Sequence, residues 1–169
     1  YIGKYEKGEN LINNQETENE TIEIKIPDTE KQEEQSTNLS NAIQILSERN
    51  KAKGAFILPF EQFRTSYQFL SRLKANYQKE TSLLLFSLKE KEHAAVPIED
   101  AVDEFMTVLS SSLRQSDLIT QNGKNQCIVI LPETSSANIA TVTTRIMELW
   151  GEADSSAMFT VSFETGMVE

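Results

Sequence analysis

One cysteine, one histidine and one tryptophan are all that this 169-residue chain holds of those three types. With Cys127 alone, an internal disulfide is impossible, which points to a reducing, cytoplasmic compartment. The lone histidine, His93, has no second histidine or cysteine near it in sequence, so the usual zinc patterns are excluded and it reads as a surface residue. Basic residues are scarce too, 16 against 26 acids, for a formal net charge of −10. That balance argues against nucleic acid as a partner of this chain and against an anionic membrane surface, because both are bound through Lys and Arg. Apolar stretches such as Leu83–Phe86 are far short of the roughly 20 residues that span a bilayer. No membrane span is expected, and no charged-then-apolar leader opens the chain. Phosphate-binding loops, G-x-S-x-G and Cys/His dyads are also missing. The first residue is Tyr1 rather than Met, so a fragment of a longer protein is expected.

What is present falls into three stretches. Residues 1–36 hold ten acids and four lysines. So little apolar surface cannot offset the entropy of ordering the chain, and residues 1–37 read as an acidic linker or arm. Within it, the run at 21–26 (TIEIKI) alternates strictly and stops at Pro27. That is a strand pattern, available to a sheet edge or to a preceding domain. Residues 38–54 read as a connecting amphipathic helix with Leu39, Ala42, Ile43 and Leu46 on one face and Gly54 as its stop. Its Leu39/Ile43/Leu46 face suits either packing on its own domain or a homodimer.

Residues 55–169 read as the globular domain. Phe60, Phe63, Tyr67, Leu70, Leu73 and Tyr77 recur at helical spacing and predict a long helix whose aromatic stripe enters the core. Ser82–Leu88 is a short continuous apolar run, as in a central strand covered on both faces. A second helix places Ile98, Val102, Phe105, Leu109 and Leu113 inward, and a third runs over Ser135–Trp150. Met158–Gly166 alternates as a last strand. Between the second and third helices, Ser116–Thr134 reads as a hairpin, with Asn122-Gly123 between two apolar runs predicting a type I′ turn. Cys127 sits on its second strand as a small apolar residue. Strands separated by helices, with one hairpin, imply an α+β sheet with helices packed on its faces.

The hairpin text, SDLITQNGKNQCIVILPET, resembles the active-site hairpin of the GGDEF family, the diguanylate cyclases. The family pattern is S-D-x-x-x-R-x-G-G-D-E-F followed by an apolar strand and L-P-x-T. In this register the five signature positions hold Gly123, Lys124, Asn125, Gln126 and Cys127. Leu113–Asp117 is similar to the family's L-R-x-S-D, and Phe159–Ser162 to its closing V-T-V-S. The resemblance covers about residues 56–168 and implies the nucleotide-cyclase-like fold, a ferredoxin-like βαββαβ core. Residues 45–72 further resemble the entry to GGDEF-like tails of multidomain response regulators and transcription regulators, as found in two-component signal transduction.

The resemblance implies two divalent cations held by carboxylates, because phosphoryl-type chemistry needs hard cations with oxygen ligands. Ser87 stands at the position of one metal carboxylate, with Lys89 at the second acid of that motif. Gln126 replaces the signature Glu, and Lys124 replaces a glycine that lets backbone approach phosphates. The loop Lys89–Pro97 lacks the family's guanine-reading Asn and Asp. The expectation is a non-catalytic regulatory or interaction domain with no cofactor and no bound metal, whose partners are other domains of the same signalling protein. One family element stands in register: Arg114-Gln-Ser-Asp117 matches the R-x-x-D inhibitory site that binds cyclic di-GMP. An Arg fork and an Asp acceptor suit a guanine edge, so a cyclic di-GMP receptor is the alternative. A helix-end Arg and a turn-fixing Asp explain the same residues without a ligand.

Overall fold

The computed structural model describes residues 38–47 and 53–169. The arm at 1–37 and the strand expected at 21–26 lie outside the described residues. The chain divides into two units, with the boundary between Glu48 and Arg49. In the first, helix α1 (Leu39–Leu46) is capped by Asn38, whose side chain accepts from Asn41 N–H at 2.9 Å. It stops at Leu46, with Ser47 already extended. Gly54 is therefore not the stop of this helix, and what it does instead is fixed by the second unit.

In the second unit the elements run β1 (Phe56–Ile57), α2 (Phe60–Tyr77), β2 (Thr81–Glu90), α3 (Ile98–Ser112), β3 (Leu118–Asn122), β4 (Gln126–Pro132), α4 (Ser136–Glu152), a 3₁₀ turn (Asp154–Ala157) and β5 (Phe159–Met167). One five-stranded sheet has the order β1-β3-β4-β2-β5. β1 joins β3 in parallel and every other pairing is antiparallel. From β2 onward this is the ferredoxin-like βαββαβ core, with β2 central as its apolar run predicts.

The sheet's period-2 alternation separates two faces. On one, Leu84, Phe86 and Leu88 of β2 meet Val102, Phe105 and Leu109 of α3, and Ile139, Val142, Ile146 and Trp150 of α4. At the centre of this layer the Phe105 ring meets Phe86 and Trp150 edge-on, at 5.2 and 5.3 Å. Glu104 of α3 ties the 3₁₀ turn down by accepting from the N–H groups of Asp154 and Ser155, 3.0 Å each. The hydrogen bond with Ser155, ahead of these backbone contacts, holds the Glu104 carboxyl below its ordinary pKa.

Among the described residues the other face is covered by α2, where Phe63 packs with Leu58 just before the helix and Ile130 of β4, and Tyr67, Leu70 and Leu83 lie around them. Here the structure departs from the sequence reading. Of the aromatic stripe only Phe63 is fully buried, while Phe60 and Tyr77 are exposed. One helix crossing a sheet touches it along only part of its length, so the ends of the stripe overhang. The backbone after β5 also holds α2. Lys74 donates to Val168 C=O, Ser71 donates to Glu169 C=O, and Tyr67 O–H accepts from Glu169 N–H. β1 escaped the sequence reading because two residues carry no period. Among the described residues, no helix is long and apolar enough to cross a membrane.

Cys127 lies fully buried on β4, and burial pushes its thiol up to about 12. A thiol this protonated and enclosed is a poor nucleophile. Native protein is expected to leave a thiol-specific chromogenic reagent unreacted, with one equivalent titrating at once in denaturant. Rapid native labelling would contradict the buried placement.

Candidate functional site

The hairpin tip and the far end of β2 form the place where the signature positions converge. Register sets the row: Ser87 of β2 faces Gln126 of β4, which faces Asn122 of β3. Directly paired residues share a sheet face, so these side chains meet on the face that α2 covers only in part. Asn122 Nδ2 donates to Gln126 Oε1 at 2.9 Å, and Gln126 Nε2 donates to Ser87 Oγ at 3.1 Å. Asn125 clips the loop to β2, its Nδ2 donating to Leu88 C=O at 3.0 Å while its own C=O accepts from Leu88 N–H at 2.8 Å.

The turn itself is not the two-residue type I′ turn that Asn122-Gly123 predicts. Asn122 pairs with Gln126, leaving Gly123, Lys124 and Asn125 as a three-residue loop. Only Gly123 is left-handed, at φ +64°, whereas a type I′ turn needs two such residues. The reason is tertiary: both bonds of Asn125 go to the neighbouring β2, and that strand shapes the loop. Lys124 and Lys89 are exposed. Glu90, the nearest acid in the β2 sequence, accepts from Ala94 N–H at 3.0 Å and so closes its own loop. His93 is exposed in that loop at φ +53°.

This donor set does not fit a pair of divalent cations. The row offers a hydroxyl and two amides, all neutral and already bonded to one another, with lysines at the flanking motif positions. Hard dications need several anionic oxygens. Among the described residues no group of three or more His, Cys, Asp or Glu could hold a metal ion.

Arg114 and Asp117 lie on the connection from α3 to β3, and they are brought together through backbone rather than side by side. Asp117 is 2% exposed, and its Oδ2 accepts from the Arg114 backbone N–H at 2.7 Å. Asp117 N–H returns a bond to Arg114 C=O at 3.0 Å. The Arg114 side chain is exposed, while Asp117 Oδ1 is buried without a hydrogen-bond partner among the described residues. Burial pushes the carboxyl above its ordinary pKa, against the pull of the Arg114 N–H and of the Arg114 and Arg145 charges.

The native state holds this proton more tightly than the unfolded chain, so ionisation disfavours folding. Relative to Asp117→Asn, the wild type is expected to lose stability as pH rises from the ordinary carboxylate value through the raised native one. Urea midpoints of both proteins across pH 4–7 measure this. A gain in that window would mean that the two guanidinium charges outweigh burial.

Sequence reasoning missed the amide row, although Gln121, Asn122, Asn125 and Gln126 already crowd the loop with amides. What it lacked was the register that sets Ser87 beside them. At the opposite end of β2, Leu70, Leu73, Tyr77, Thr81 and Pro132 line a cavity of about 370 Å³.

No family model matches this chain, and no curated protein matches it. Solved structures do. A DGC protein from Thermotoga maritima superposes with a TM-score of 0.55 at 8% identity, over 69% of this chain and 85% of that one. The GGDEF domain of YfiN (TpbB) from Pseudomonas aeruginosa gives 0.51 at 13% identity, over 65% and 75%. At these identities the likeness concerns fold. The unit that follows Glu48 has the GGDEF, diguanylate cyclase-like fold.

Proposed function

We propose that this domain is a non-catalytic regulatory or interaction module of a bacterial signalling protein, built on a diguanylate cyclase fold whose metal and GTP-binding groups are replaced. The observation that carries this reading is the row Asn122–Gln126–Ser87, in which Ser87 and Gln126, standing where the resemblance puts metal-binding acids, are neutral and hydrogen-bonded within the row. A retained fold keeps its packing surfaces when its chemistry is gone, and function then rests on those surfaces. α1 adds one: Leu39, Ile43 and Leu46 are 76%, 55% and 84% exposed. A helix shorter than about 12 residues is marginal in water on its own, so this face suits a homodimer or packing on another part of the protein.

Incubation with GTP and Mg²⁺ or Mn²⁺, followed by chromatography, is expected to yield no cyclic di-GMP. Measurable turnover would overturn the reading. The receptor alternative draws on the exposed Arg114 and on Asp117 Oδ1, which has no hydrogen-bond partner among the described residues. Against it, the Asp117 carboxylate is enclosed and committed to its own turn. Calorimetry with cyclic di-GMP is expected to show no heat; heat abolished by Arg114→Ala would establish the receptor instead.

A further inference from the structure

We propose that β5 is an open sheet edge that pairs antiparallel with β5 of a second copy of this chain, about a two-fold axis at Phe163. Among the described residues the strand lies at the end of the sheet order and pairs only with β2. Its nine-residue register with β2 runs from Phe159↔Glu90 to Met167↔Ser82 without a bulge. Just beyond its two ends, Met158 C=O accepts from Lys91 N–H at 2.8 Å and Val168 N–H donates to Thr81 C=O at 2.9 Å. Even-numbered residues therefore turn their backbone groups toward β2. Alternation then turns those of Phe159, Val161, Phe163, Thr165 and Met167 outward. Among the described residues no backbone group bonds to them.

Proteins protect such edges with proline, lysine, bulges or short strands. This one has none of these, and Glu164 is its only charge. The partner is chosen by symmetry. Phe163 is both the midpoint of the strand and outward-facing, so a two-fold there matches outward residues only with outward residues. Phe163 meets itself, Thr165 meets Val161, and Met167 meets Phe159. On the other face Glu164 meets Ser162 and Thr160 meets Gly166, so no like charges stand directly opposed. The pairing supplies about ten backbone hydrogen bonds, the number a typical interface carries. It also covers Phe163, which is 41% exposed although its ring lies 5.9 Å from Phe86. Since little other apolar area is buried, the dimer is expected at concentrations of about tens of micromolar, not at nanomolar.

Position-selective crosslinking tests the register in the full chain. Across the axis a hydrogen-bonded pair has Cα atoms about 5.5 Å apart, within disulfide reach. Mild oxidation of Phe163→Cys is expected to give a disulfide dimer. Thr165→Cys places its two sulfurs about four residues, or roughly 13 Å, apart along the strands and should give none. Cys127 is buried and does not compete. In light scattering, wild type should approach twice the chain mass, and Thr165→Pro, which removes only an outward N–H, should return it to monomer. Phe163→Lys, which sets two ammonium groups face to face, should do the same if the proline variant fails to fold. Equal crosslinking at 163 and 165, none at either, or a dimer that survives Thr165→Pro and Phe163→Lys as association through α1 would, overturns the proposal. So does a monomer whose outward amides resist hydrogen exchange, which would place another segment on the edge.

Discussion

Truncating Phe105 to alanine is expected to destabilise the domain by about 3–5 kcal/mol, the range for removing a fully enclosed aromatic ring. Phe105 has no exposed surface, and its ring is the middle member of the edge-on cluster Phe86–Phe105–Trp150. Its loss empties the space between sheet, α3 and α4, and both neighbours lose an edge-on contact worth about 0.5–1.5 kcal/mol beyond area burial. Urea unfolding measures the change. Tyr77→Ala is the control, since a ring that is 69% exposed should cost less than about 0.5 kcal/mol. Similar losses for both would mean that the layer is not centred on Phe105.

The second large effect is expected at Gly54. Its φ is +89°, and a Cβ built there would sit 2.1 Å from the carbonyl oxygen of Ser110 near the end of α3. Neither problem is relieved by a rotamer change, because the obstacle is backbone. Ala55 N–H donates to that same carbonyl at 3.1 Å, so displacing it also strains the bond that sets β1 beside α3. Gly54→Ala is expected to cost at least about 2 kcal/mol, since forced backbone strain alone accounts for about 1–3. Gly123→Ala separates the two causes: φ is +64° with nothing within 4 Å, so only the conformational term of about 1–2 kcal/mol remains. Equal losses at the two glycines would show that the Ser110 carbonyl yields freely.

Gly54 shows how a residue can be noticed for a wrong reason. In sequence it follows an amphipathic run, and a glycine there reads as a helix stop. In the structure that helix ends at Leu46, and Gly54 serves a close approach to a residue more than fifty positions away. The Asn122-Gly123 turn failed in the same way. Local chemistry predicted a hairpin and was right, yet the loop took three residues because Asn125 bonds to β2, which comes from another part of the chain.

Patterns of short range were legible in the sequence alone. Alternation over Met158–Gly166, helical spacing over Ile98–Leu113 and the apolar run of β2 follow from the periods of strand and helix, so the element order from α2 onward and the fold class could be read without coordinates. So could the replacement of acids by Ser87 and Gln126, which is a matter of residue identity. The tertiary structure decided how those residues meet. Pairing register put Ser87, Gln126 and Asn122 in one hydrogen-bonded row, packing buried the Asp117 carboxyl and left both ends of the α2 stripe in solvent, and strand order set β5 at the sheet's edge. Register, burial and edge position depend on contacts between segments far apart in the chain, and no local period encodes them.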